Sequence, residues 1–168
     1  MESQEEMEKA VGVLVGNSFW KINRTGDIFS FQFGERRSTQ KFRGGMAEVG
    51  SFAINVQCPW RIIEENKVLI GSGDLYYPAS PSQSTIEFDW QTEPTRFDSL
   101  TENLFQGRQF DISGVESHLD ASVRIRFKNK CDLEIFPDSS EGEQWRLLRP
   151  GETGFKHFVV SNQNARFE

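Results

Sequence analysis

Trp20-Lys21-Ile22-Asn23-Arg24-Thr25-Gly26-Asp27-Ile28-Phe29-Ser30-Phe31-Gln32-Phe33 alternates apolar and polar residues on both sides of a Thr-Gly dipeptide. Period two is the spacing of strands with one buried face, and a Gly between two such runs reads as a hairpin turn. A two-residue turn at Thr25-Gly26 pairs Arg24 with Asp27, Ile22 with Phe29 and Trp20 with Phe31. Opposite charges then close the turn while aromatic and aliphatic side chains share one face.

The same logic recurs outward from this stretch. Trp60-Arg61-Ile62-Ile63-Glu64 and Lys67-Val68-Leu69-Ile70 flank Glu65-Asn66, pairing Glu64 with Lys67, Ile63 with Val68 and Ile62 with Leu69. Phe52-Ala53-Ile54-Asn55-Val56 is a further strand, and Pro59 forces an extended Cys58 and a kink at a sheet edge. Val123–Phe127 and Cys131–Ile135 form a third hairpin, with Arg126 opposite Asp132, Arg124 opposite Glu134 and Ile125 opposite Leu133. Trp145–Leu148 and His157–Val160 supply two more short strands. Ala53–Ile63 also resembles Leu133–Asp138 followed, after an insertion, by Trp145–Leu148: a strand, a Pro corner, then Trp-Arg and two aliphatics. Duplication of a β-meander and chance among β-rich segments are the two explanations.

Helical spacing is confined to two segments. Ser3-x-x-Glu6 is a capping box, and Met7, Ala10, Val11 and Leu14 recur on one face of a helix over residues 3–16 that stops at Gly16-Asn17. A second, short helix is expected at about 96–106, with Phe97, Leu100 and Leu104 inward, Ser99-x-x-Glu102 as a local cap and Gly107 as its stop. Between them, residues 78–94 are a long Ser- and Pro-rich connection. These elements predict a single α+β domain over residues 1–168: mainly antiparallel β-sheet of hairpins, with an N-terminal helix and a short helix near residue 100.

Composition fits that class. The chain has 168 residues, 36% hydrophobic and 26% charged, enough to bury a core without a disulfide or metal staple. No apolar run is long enough to span a bilayer. The acidic start, Met1-Glu2-Ser3-Gln4-Glu5-Glu6, is unlike a signal peptide, so a cytoplasmic location and no membrane partner are expected. Cys58 and Cys131 read as buried thiols, because zinc needs about four ligands and the histidines, His118 and His157, lie at no finger spacing from them. No metal and no cofactor are expected. A net charge of −6 argues against nucleic acid as partner. The locally basic loop at residues 35–45 could still touch RNA or an acidic partner, and RNA binding through residues 36–43 predicts affinity that falls steeply with salt.

Catalytic signatures are missing. Gly71-Ser72-Gly73 lacks the third glycine of a dinucleotide loop, and Ser18-x-x-Lys21 and Ser38-x-x-Lys41 lie in a strand and a loop rather than at a helix start. No catalytic residue is therefore assigned. The paired Trp60-Arg61 and Trp145-Arg146 motifs put Trp on one face of a strand and Arg on the other. Two such guanidinium groups could clamp one carboxylate or phosphate; the alternative is an ion pair with a neighbour such as Asp74 or Asp138. Arg61, Arg146, Asp74, Asp138, His157 and Tyr76 form the candidate ligand-binding set. An acid–base role for Asp74, Asp138 and His157 competes with turn and strand-end roles.

Three stretches together carry a resemblance: Phe31–Glu35; Val56–Ile62 with Gly71–Tyr77; and Leu133–Asp138 with Trp145-Arg146-Leu147 and His157–Val160. They resemble a widespread family of uncharacterised bacterial proteins. The resemblance implies a bacterial source and a soluble α+β protein, and it supplies no activity or catalytic residue. The leading expectation is a non-catalytic binding or interaction module with another protein as partner. An immunity-type inhibitor, whose acidity masks a toxin's positive site, is one form of it. The competing expectation is a small-molecule-binding protein or enzyme with an Arg/Asp/His anion site.

Overall fold

The computed structural model describes residues 4–161 and 164–168. Helix α1 (Gln4–Gly12) is followed by strands β1 (Ser18–Thr25), β2 (Ile28–Gln40), β3 (Met46–Val56), β4 (Trp60–Glu64) and β5 (Lys67–Gly71). A 3-10 turn (Ser72–Tyr76) and helix α2 (Arg96–Leu104) precede β6 (Phe110–Ser117), β7 (Val123–Phe127) and β8 (Cys131–Ile135). The chain ends with β9 (Glu143–Leu148), β10 (Phe158–Ser161) and β11 (Asn164–Phe167). The pairing is antiparallel throughout, in the order β11-β10-β9-β3-β2-β1-β6-β7-β8-β4-β5, so the molecule is α+β and dominated by sheet. No helix among the described residues is long and apolar enough to cross a membrane.

The ladder bends at β6. Its first residues, Phe110 and Asp111, pair with β1, and Ile112–Ser117 pair with β7. The two halves thereby face each other: Trp60 of β4 meets Phe29 and Phe31 of β2 edge-on at 5.0 and 4.8 Å. Phe19 stacks on Phe127 across the same interior at 5.6 Å. Such edge-on and offset ring pairs contribute about 0.5–1.5 kcal/mol each beyond the apolar area they bury. Helix α1 buries Met7, Ala10 and Val11 against β6 and β11, as its spacing predicts, while Leu14 is buried from the turn that follows the helix. It ends earlier than expected, with residues 13–16 in turns up to Gly16 at φ +85°. Ser3 of the expected capping box lies outside the described residues.

Several registers differ from expectation. The first hairpin turns at Gly26-Asp27, pairing Thr25 with Ile28 and Ile22 with Phe31, two residues away from the expected register. An even shift keeps every side chain on its face, and Gly26 at φ +62° supplies the left-handed turn position. An irregularity between Phe19 and Lys21 breaks the alternation, so Phe19 takes the buried place expected of Trp20. A bulge after Ile62 likewise moves its partner from Leu69 to Ile70, while Glu64–Lys67 and Ile63–Val68 pair as expected. The third hairpin matches in full. Helix α2 is capped by Thr95, whose Oγ1 accepts from the Asp98 amide at 3.1 Å, rather than by Ser99. Thr95 is the cap because its backbone is extended where the helix begins, at Arg96 as expected, whereas Ser99 lies within the first turn.

The internal similarity has a geometric counterpart. β3 and β4 are joined through Pro59, and β8 and β9 through Pro137, and the two units pair along both arms. Val56↔Trp145, Asn55↔Arg146 and Ile54↔Leu147 on one side correspond to Ile135↔Trp60, Glu134↔Arg61 and Leu133↔Ile62 on the other. The corners match too: Gln57 donates its amide to the Gln144 carbonyl, and Phe136 donates its amide to the Pro59 carbonyl, each at 2.8 Å. Pseudo-twofold pairing of this kind places both tryptophans, Trp60 and Trp145, in the core.

β2 and β3 run well beyond their neighbours. The ladder to β1 stops at Phe33, and that to β9 covers Ala53–Val56, so Arg36–Gly50 form a ribbon of two strands joined at residues 41–45. The expected basic loop is thus mostly strand; exposure of both its faces hid the alternation. A bulge at Gly34-Glu35 launches the ribbon. A Cβ on Gly34 (φ +79°) would stand 2.0 Å from Ser51 Oγ, and one on Gly50 2.2 Å from the Phe33 carbonyl oxygen. Buried Gln32 fixes the bulge by accepting the Gly50 amide at 2.9 Å. Arg36 over the Trp20 ring at 4.5 Å and the Arg37–Glu152 pair at 3.0 Å brace it from outside.

Candidate functional site

Trp60 and Trp145 point inward, so Arg61 and Arg146 leave from the outer faces of the two opposing halves. Each holds its own carboxylate. Arg61 Nε donates to Glu134 at 2.6 Å, and Arg124 Nη2 donates to the other oxygen of the same carboxylate at 2.5 Å. Burial pushes Glu134 up, but the hydrogen bonds and charges of Arg61 and Arg124 outweigh it and hold the carboxyl below its ordinary value. Arg146 forms a fork on Glu143 at 2.5 and 2.6 Å, which raises its own affinity for the proton. Of the two alternatives, the structure has the ion pairs with neighbouring carboxylates, one for each arginine, rather than a shared clamp. Their acids are Glu134 and Glu143 rather than Asp74 or Asp138. The symmetry explains the difference: Asn55 stands opposite Arg146 where Glu134 stands opposite Arg61, so Arg146 turns to Glu143 three residues away.

Of the candidate set, the structure joins Arg146 to His157, with Nη1 at 3.0 Å from Nδ1. A guanidinium only donates, so in this contact Nδ1 is the acceptor. Asp74 is committed elsewhere. It accepts the Gly71 amide at 2.8 Å and Arg96 Nε at 2.6 Å, tying the 3-10 turn to α2. Arg96 in turn lies over Tyr77 at 4.2 Å, and half-exposed Tyr76 meets Trp90 at 5.5 Å. Asp138 lines a cavity of about 500 Å³ with Asp120, Leu119, Gln144 and the start of α1. Its charge, after burial, helps push the Cys58 thiol up to about 12. Among the described residues no group of three His, Cys, Asp or Glu could hold a metal ion.

The end of the β2–β3 ribbon presents different chemistry. Phe42 is fully exposed at 104% of its reference area, and Met46 is 61% exposed beside it. Lys41 and Arg43 flank Phe42, and neither is ion-paired among the described residues. Lys41 donates its amide to the Gly45 carbonyl at 2.8 Å and so closes the loop. The sequence marks residues 35–45 by their charge alone and gives Phe42 no role of its own, because a lone Phe in a polar run is indistinguishable from an inward strand residue until the strand ends are known. No family model matches the chain, and no curated protein or solved structure matches it either, so no residue role is carried over from a relative.

Proposed function

We propose that this chain is a non-catalytic binding module that engages a protein partner through the end of the β2–β3 ribbon. The observation that carries the reading is the fully exposed Phe42 between Lys41 and Arg43, neither of them ion-paired among the described residues. Solvating a phenyl ring forgoes roughly 1.5–3 kcal/mol of burial, and a recess on a partner would recover it. Lys41 and Arg43 stand out from a chain of net charge −6, which selects an acidic rim around that recess. Three residues of the candidate ligand-binding set support the reading as well, since Arg61, Asp74 and Arg146 each serve a structural ion pair.

Capture from a lysate of the source cells tests this with the full chain, Phe42→Ser and the double variant Lys41→Glu/Arg43→Glu side by side. The expected result is a protein held by the full chain and released by both variants, at unchanged circular dichroism. Retention of the same species by both variants overturns the proposal. Loss of capture on nuclease treatment also overturns it, because the ligand would then be nucleic acid.

A further inference from the structure

A second, smaller cavity of about 350 Å³ lies between α1 and the β9–β10–β11 side of the sheet. Its walls are Phe52 of β3, Phe158 of β10, Phe167 of β11 and Phe155 of the loop before β10. The volume is at the small end of the roughly 300–1,000 Å³ typical of ligand sites, and an apolar wall with few polar groups is their usual character. Arg149 supplies the polar group. Its guanidinium is held between the rings of Phe52 and Phe155, at 5.0 and 4.5 Å from their centres. Arg149 Nε is buried and has no hydrogen-bond partner among the described residues. The carboxylate of Glu152 forms an ion pair with Nη1 at 3.6 Å, beyond hydrogen-bond length, whereas Arg146 of β9 holds Glu143 at 2.5 Å.

A guanidinium fork fixed by two rings, with donors unspent, is prepared for a planar anion. Lys9 on the rim adds a second cation, and Glu6 is the opposing charge there. We propose that this cavity binds a small amphipathic carboxylate, its carboxylate on Arg149 and its hydrocarbon tail among Phe155, Phe158 and Phe167. The site is separate from the ribbon end, so it stands or falls independently of the protein-binding reading.

Titration of the labelled full chain with octanoate, octan-1-ol and octylammonium, followed by amide chemical shifts and calorimetry, tests the proposal. Octanoate is expected to bind saturably and shift the amides of Val13 and Phe155, with octan-1-ol at least about tenfold weaker, or about 1.4 kcal/mol. Arg149→Gln is expected to weaken octanoate by a similar factor. Phe155→Ala, a loop substitution that removes one side of the guanidinium sandwich, does the same without touching the core. Equal binding of octan-1-ol, preference for octylammonium, or no saturable shift up to about 5 mM octanoate overturns it.

Discussion

Replacing Glu134 by alanine removes the acceptor that Arg61 and Arg124 share across β4, β8 and β7. The Glu134 side chain is 4% exposed, while those of Arg61 and Arg124 are 46% and 40% exposed. A charge-assisted hydrogen bond contributes about 1.5–3 kcal/mol, but here both guanidinium groups regain water once the acid is gone. The loss therefore falls below the roughly 3–5 kcal/mol of a fully buried broken pair, at about 2 kcal/mol. For a chain of this length that is a fall in Tm of about 4–8 °C. Glu134→Gln isolates the charge from the shape. Because the folded carboxyl is held below its ordinary value of 4.5, its contribution is present above that pH and is lost as pH falls through the lower folded value. Thermal melts of the native chain and Glu134→Gln should differ by a constant gap between about pH 6 and 8 that closes on acidification below 4.5. A double-mutant cycle with Arg61→Ala should return a coupling of about 1 kcal/mol. A gap unchanged in strong acid, or zero coupling, refutes the reasoning.

Three further outcomes follow from the packing. Gly50→Ala sets a methyl against the Phe33 carbonyl and amide, at 2.2 and 2.7 Å. It should lower stability by about 2–4 kcal/mol in urea unfolding, whereas Gly73→Ala, where a Cβ meets nothing within 4 Å, should change it by far less. Thr95→Ala removes the cap of α2 and should cost about 1–2 kcal/mol, with Thr95→Ser recovering most of it in the same unfolding assay. Cys58, at about 12, and Cys131, also raised by burial, should resist a thiol reagent in the folded chain and react once it is unfolded in guanidinium; rapid labelling of the native chain contradicts their burial.

The parts of the fold legible in the sequence are those where one face is buried. Val123–Phe127 with Cys131–Ile135 aligns as expected because charges on one face and aliphatics on the other fix a single register. The first hairpin shows the limit. Alternation chooses faces but cannot separate registers two residues apart, and Gly26 settles that choice. Residues 35–50 show a second limit, since strands exposed on both faces carry no period-two signal. The ion pairs were half legible. Arg124 facing Glu134 follows from the hairpin itself, whereas Arg61 reaching Glu134 and Arg146 reaching Glu143 depend on pairing across a long stretch of chain. The sequence similarity of the two corner units does not by itself give that pairing, since each strand lies beside the neighbour of its look-alike: β3 resembles β8 but pairs with β9, and β4 resembles β9 but pairs with β8.

The central claim is that the ribbon end is the contact surface. Benzoylphenylalanine in place of Phe42, with parallel placements at Ile86 and Leu119, which are 91% and 63% exposed elsewhere on the surface, puts it to photo-crosslinking in the source cells. A protein-sized adduct from position 42 that disappears with Lys41→Glu/Arg43→Glu is the predicted result. Adducts from positions 86 or 119 with none from 42 would contradict it.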